Sequence, residues 1–305
     1  MIEYVHPASV EEAILCLAAH DGAARVIAGG TDVLPDLRKG RITPSCLVDV
    51  TRIPSLNTIE VSDDFVRIGA AVTFAAIREH PFLRQHVHAL VDAAASVGAG
   101  AIQNTATWVG NIVQAMPAAD GSIVAIALDA EARIAGRDGA HWRPVEALFE
   151  APRASVVDPT RQLITHVRFP HPGANTGTAW RRVGRRSALV LPILNCAVRL
   201  RIDADGSDVR LAEASIALGP VAPRPFRARE AEALIRGRVL AEDTLIRAAR
   251  IAQREACPRS SVMRASREYR LAIIPTLVGE ALVQAARRAA PQRVCSKRAS
   301  VTEAK

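Results

Sequence analysis

The chain has 305 residues, 49% of them apolar and 23% charged, which is ordinary globular usage. That composition excludes intrinsic disorder, a collagen-like repeat and a disulfide scaffold, and the length favours two domains. The net charge of +8 is carried almost wholly by arginine, since only Lys39, Lys297 and Lys305 are lysines, and the arginines are spread along the chain as a compositional bias would spread them.

Other absences narrow the function further. Aromatic residues make up 4% of the chain, too few for base-stacking platforms, so no nucleic-acid partner is expected. Cys16, Cys46, Cys196, Cys257 and Cys295 are an odd and unclustered set. They offer neither zinc nor iron–sulfur spacing and no complete disulfide framework, which fits thiols in a reducing cytoplasm. The first ten residues lack the basic and apolar regions of a signal peptide. No apolar run approaches the ~18 residues of a membrane span.

In chain order, Ser9 and Glu12 form a capping box that opens a helix over 10–20, with Ile14, Leu15, Leu17 and Ala18 on its apolar face. A strand at 25–28 meets Gly29 and Gly30, and a helical stretch follows to about 38. Strands are expected at 45–50 and 65–70, then helices at 73–80 and 82–96. Residues 98–111 are small and polar and read as a loop, and 118–128 as a compact apolar helix. A strand at 163–169 ends before a turn-rich stretch, 171–178, placed at the domain boundary near 175. Strands follow at 178–183, 194–202 and 209–218, the last two joined by a hairpin at 203–206. Helices at 228–235, 242–255 and 267–289 precede a polar tail from 290.

Two of these segments suit an anion. Between strand and helix, Val26, Ile27, Ala28, Gly29, Gly30, Thr31, Asp32 and Val33 let backbone N–H groups approach a phosphate. The second runs from Asn104 through Thr105, Thr107, Trp108, Val109 and Gly110 to Asn111, followed by Asp120, which can accept from a ribose hydroxyl or cap the next helix. Alone, each also reads as an ordinary turn. A Rossmann fingerprint fails because Gln103 stands at its third glycine, and no P-loop, GxSxG elbow or HExxH occurs. The eight histidines are scattered, and no nucleophile, metal set or acid–base pair is visible. Any redox chemistry therefore belongs to a cofactor.

Taken together, six motifs in order resemble the FAD-binding medium subunit of the molybdenum hydroxylases, the flavoprotein group of xanthine and carbon monoxide dehydrogenases. They are residues 28–32 (AGGTD), 102–112 (IQNTATWVGNI), 115–120 leading to 128–130, 180–186 (WRRVGRR), 217–224, and 266–270. The resemblance implies an α+β fold: a PCMH-type FAD domain over 1–175 in two subdomains split near 55–60, then a C-terminal α+β domain over 176–289 with a short antiparallel sheet and helices, and a tail over 290–305. It implies non-covalent FAD, with residues 26–33 at the diphosphate, Thr107, Trp108, Val109, Gly110 and Asn111 on the second side, and Asp120 at the ribose–adenine portion. Val97 and Ile164 would lie beside the flavin, and Arg181 falls where a lysine near the ring is common. Partners so implied are a small [2Fe–2S] subunit and a large molybdopterin subunit, with NAD, quinone or O₂ as acceptor.

The chain departs from the family pattern at Gln103 (usually Arg), Trp108 (usually small), Val190 (often Asp) and Val109 (usually Gly). Val109 matters most, because a β-branched residue cannot take positive φ cheaply. The expected function is an electron-transfer oxidoreductase subunit. The alternative is a structural subunit with a degenerate flavin site.

Overall fold

A computed structural model describes residues 1–205, 208–262 and 264–290. The chain opens with a parallel three-stranded sheet, order β1-β3-β2, formed by β1 (Glu3–Val5), β2 (Ala24–Ile27) and β3 (Cys46–Asp49). Helix α1 (Val10–Ala19) connects β1 to β2, and α2 (Val33–Arg38) follows β2. The capping box forms as expected on its main bond, with Glu12 N–H donating to Ser9 Oγ at 3.1 Å. The apolar face is partly rotated from the expectation. Leu17 is buried as expected and Ile14 packs against the core, but Leu15 is 70% exposed and Ala13 is buried in its place.

A second sheet, antiparallel and five-stranded in the order β4-β5-β10-β6-β7, comprises β4 (Ile59–Val61), β5 (Phe65–Gly69), β6 (Glu131–Gly136), β7 (Gly139–Pro144) and β10 (Leu163–Pro170). Strands β8 (Phe149–Ala151) and β9 (Ala154–Ser155) form a small ladder of their own. Between β5 and β6 lie α3 (Phe74–Glu79), α4 (Pro81–His86), α5 (His88–Ser96), α6 (Gly100–Gln103), α7 (Trp108–Val113) and α8 (Asp120–Ala127). The helix expected over 82–96 is thus two helices, broken at Val87. The stretch 98–111, expected as a loop, carries α6 and the start of α7.

The remainder is a four-stranded antiparallel sheet, β11 (Thr176–Val183), β12 (Leu194–Asp205), β13 (Asp208–Gly219) and β14 (Phe226–Arg227), with helices α9 (Arg229–Ile235), α10 (Glu242–Glu255) and α11 (Arg267–Ala289). Gly206, at the tip of the expected hairpin, and the tail from 291 lie outside the described residues.

Two apolar cores result. One gathers buried residues from Ala13 to Phe169 together with Trp180, Ala197 and Ala217 of the C-terminal sheet, and the other runs from Ala179 to Ala290 beneath α10 and α11. Their junction joins apolar packing of α8 against Ala197 and Ala217 to a set of polar contacts. Ala89 N–H donates to Thr178 Oγ1 (3.0 Å), Arg288 donates to the Thr178 carbonyl (2.8 Å), and Asp129 pairs with Arg199 and Arg227. Helix α8 packs against β12 and β13, and all eight of its residues are buried, which is why residues 123–127 are an unbroken apolar run after Asp120 and Ser122.

Candidate functional site

Strand β2 delivers the chain to the glycine pair at the edge of the parallel sheet. Gly30 has φ +68°, a conformation that costs a side-chain-bearing residue ~1–2 kcal/mol. Gly29 is constrained by proximity instead. A methyl there would sit 1.9 Å from the Thr105 carbonyl oxygen, so glycine lets the two anion-suited segments touch backbone to backbone.

The turn leaves a row of donors. Leu34 N–H bonds the Gly30 carbonyl at 2.9 Å and starts α2. The N–H groups of Gly29, Gly30, Thr31, Asp32 and Val33 have no hydrogen-bond partner among the described residues. Successive unpaired N–H groups of this kind form an anion-binding concavity.

The opposite wall begins at α7. Thr107 caps it, its Oγ1 accepting from Gly110 N–H at 3.0 Å. Val109 is the second residue of that helix, is 5% exposed and does not have positive φ. The strain expected from a β-branched residue is therefore absent. Trp108, the other bulky departure, is fully buried, and its Nε1–H donates to the Gly121 carbonyl at 2.9 Å. Gln103 is buried too. It donates to the carbonyls of Ala95 (3.0 Å) and Val97 (2.9 Å) and accepts from Arg78 (2.5 Å), which pins the turn after α5.

Between these walls lies a cleft of about 90 Å³, lined by Val26, Ala28, Gly29, Gly30, Thr31, Asp32, Val33, Thr107, Val109, Gly110 and Ile164 among others. Arg25, which sequence reading passed over as a strand residue, is the arginine in its lining, and the Nε of Arg25 is buried without a partner. Burial pulls its pKa down, against the opposing pull of Asp158 and Asp36.

Six expected residues lie off this lining. Ile27 is in the core beneath it. Trp108 and Asn111 link α7 to α8, the Asn111 Oδ1 accepting from Gly121 N–H at 2.9 Å. Val97 ends α5. Arg181 pairs with Glu280 (3.3 Å) and donates to Gln284 on α11. Asp120, expected at a ribose or as a helix cap, makes no cap bond and is 7% exposed. It accepts from Asn195 Nδ2 at 2.7 Å and faces Arg182.

A larger cleft of about 580 Å³ lies at the junction of the two cores. Its arginines are already paired, Arg168 with Glu131, Arg227 with Asp129 and Glu232, and Arg229 with Glu146. An anion gains less there than at the unpaired N–H row.

The fold and the cleft define a two-core α+β protein with a backbone-built anion cradle between two loops. Residues 1–172 match the FAD binding domain in molybdopterin dehydrogenase, and 179–285 match the CO dehydrogenase flavoprotein C-terminal domain. The xanthine dehydrogenase FAD-binding subunit of Escherichia coli O157:H7 is 30% identical over 283 residues, covering 92% of this chain and 95% of that one. A solved carbon monoxide dehydrogenase from Hydrogenophaga pseudoflava superposes with TM-score 0.87 at 28% identity, covering 94% of this chain and 98% of that chain. Quinoline 2-oxidoreductase from Pseudomonas putida 86 gives 0.85 at 28% identity, covering 95% and 98%. The chain belongs to the FAD-binding subunit family of the molybdopterin dehydrogenases, and is an oxidoreductase subunit. No helix among the described residues is long and apolar enough to cross a membrane.

Proposed function

We propose that this chain is the electron-transfer subunit of a heteromeric molybdenum hydroxylase, holding FAD non-covalently and passing electrons from a partner's iron–sulfur clusters to an external acceptor such as NAD, quinone or O₂. The observation that carries the reading is the row of unpaired N–H groups from Gly29 to Val33 beside the buried, unpartnered Nε of Arg25. A diphosphate satisfies both, and backbone donors do so without lysine. Thr107, Val109 and Gly110 would form the second wall and Ile164 an apolar contact at the ring. Asp120, Asn111, Trp108, Val97 and Arg181 would act by holding the elements that carry the cleft.

Bound flavin supplies the change between one- and two-electron transfer that no side chain can supply. The protein's own part is binding, orientation and exclusion of water. The cleft lining contains no His or Cys to tether the cofactor. The four described cysteines are free, and no iron–sulfur ligand set is among them. We place the clusters on a small [2Fe–2S] subunit and molybdopterin on a large one, all in the cytoplasm. We place the FAD domain at 1–175, its subdomains dividing at 55–60, and the C-terminal domain at 176–289.

The test is the absorption spectrum of the purified chain before and after adding FAD and removing the excess. Retained flavin bands are expected. A chain that stays colourless with saturating FAD overturns the reading.

A further inference from the structure

The N-terminal sheet gathers three metal-ligating side chains that no spacing along the chain reveals. Glu3 on β1 and Cys46 on β3 are register partners in adjacent parallel strands. His20 ends α1, the helix that connects β1 to β2. The carboxylate oxygen of Glu3, a ring nitrogen of His20 and the sulfur of Cys46 all lie within 4.8 Å of one another.

The hydrogen bonds around His20 orient it as a ligand. Its Nδ1 is 2.8 Å from the Cys16 carbonyl, which can only accept, so the proton resides on Nδ1. This is the outer bond that metal-bound histidines usually make. Nε2 then turns toward Glu3 Oε2 at 3.3 Å. A lone pair facing a carboxylate at that distance repels unless a cation lies between them, either a second proton or a metal ion.

Cys46 decides between the two. It is fully buried in β3, and its sulfur lies within 4.8 Å of the ligand atoms of Glu3 and His20. A second proton on His20 gives that sulfur nothing. A thiophilic ion engages all three groups. The Nε2 to Oε2 separation also matches tetrahedral zinc, where bonds of ~2.0–2.2 Å to nitrogen and oxygen set the two atoms roughly 3.3–3.5 Å apart. Glu3, with its side chain 60% exposed, leaves a route for entry.

We propose that Glu3, His20 and Cys46 bind a thiophilic divalent cation of the zinc class, with a water molecule in the fourth position. Binding exchanges the Cys46 thiol proton, released to solvent, for a metal–thiolate bond. The ion ties β1, β3 and the end of α1 together at the starting end of the parallel sheet, opposite the end from which β2 feeds the glycine loop. Its role is structural, because no reacting group is near it.

The test uses the untagged full chain, stripped with chelator and titrated with zinc chloride against a chromophoric competitor. One zinc per chain is expected, with a thermal midpoint that rises on zinc addition. His20→Gln should weaken binding at least ~10-fold while leaving the metal-free thermal midpoint within a degree or two of wild type. Glu3→Gln keeps the test decisive if a Cys46→Ala chain misfolds. No stoichiometric binding by the wild-type chain overturns the proposal, and so does undiminished binding by both His20→Gln and Glu3→Gln.

Discussion

Asp120 and Arg182 face each other across the junction of the two cores, Oδ2 to Nε 3.5 Å, with side chains only 8% and 10% exposed. The pair is close but poorly aligned, and Arg182 Nε counts no hydrogen bond. Burial therefore dominates. It lifts the Asp120 pKa to about 6, although Arg182 and Asn195 pull the other way.

The sign of the pH effect follows. The folded pKa exceeds the unfolded value of ~3.9, so the folded state holds this proton more tightly. Stability from Asp120 is complete below about pH 4 and is lost as pH rises through about 6. Two pKa steps are worth roughly 3 kcal/mol. Urea midpoints of wild type and Asp120→Asn between pH 4 and 7 should therefore draw apart, wild type losing about that amount relative to the variant. Parallel curves would show that the ion pair offsets the desolvation.

Gly29→Ala tests the contact between the loops. The added methyl meets a backbone carbonyl at 1.9 Å, which no rotamer change relieves. Overpacking typically costs ~1–3 kcal/mol, and here it also separates Gly29 from Thr105. We expect a lower thermal midpoint and at least ~10-fold weaker FAD binding. Gly30→Ala should be milder, since its nearest contacts are the side chains of Ile27 and Leu34 and its cost is chiefly the left-handed backbone. Equal effects at both positions would mean that backbone conformation, not proximity, sets the loop.

How much of this was legible in the sequence depended on what fixed each element. Helices α10 and α11 fall on the expected bounds because the amphipathic pattern persists over 14 and 23 residues, with Ser266 capping α11. The glycine loop was legible because a sharp turn before a helix demands those residues. Strands β6 and β7 were missed. No residue of β7 is buried, so its sequence carries no alternation of a half-buried strand, and β6 pairs with it as the adjoining strand. The break at Val87 was invisible because Ala89 N–H is claimed by Thr178, a residue 89 positions away. Arg25 was passed over for the same reason. Its partnerless Nε arises from the packing of 157–164 over β2, where Val26 N–H meets the Pro159 carbonyl at 3.0 Å.

Arg25→Met keeps the aliphatic stem and removes the charge. A charged hydrogen bond is worth about 1.5–3 kcal/mol, so FAD affinity should fall ~10- to 100-fold, with weaker salt dependence. Stability should hold or rise, because the variant buries no unpaired Nε. Flavin-fluorescence titrations at two ionic strengths measure this. Unchanged affinity would place the diphosphate elsewhere.

Val109→Gly separates an intact flavin site from a degenerate one. If valine had spoiled a turn that needs positive φ, glycine would restore it and tighten FAD binding. Val109 is helical and buried, so the substitution removes packed methyl groups and adds a helix penalty of ~1 kcal/mol. We expect a thermal midpoint several degrees lower and FAD affinity equal or weaker. Trp108 and Ile112 are fully buried on the same helix and hold α7 in place, so the Thr107 cap should survive and the loss should stay small. A tenfold gain in FAD affinity would instead mean that α7 is strained where it meets the cofactor.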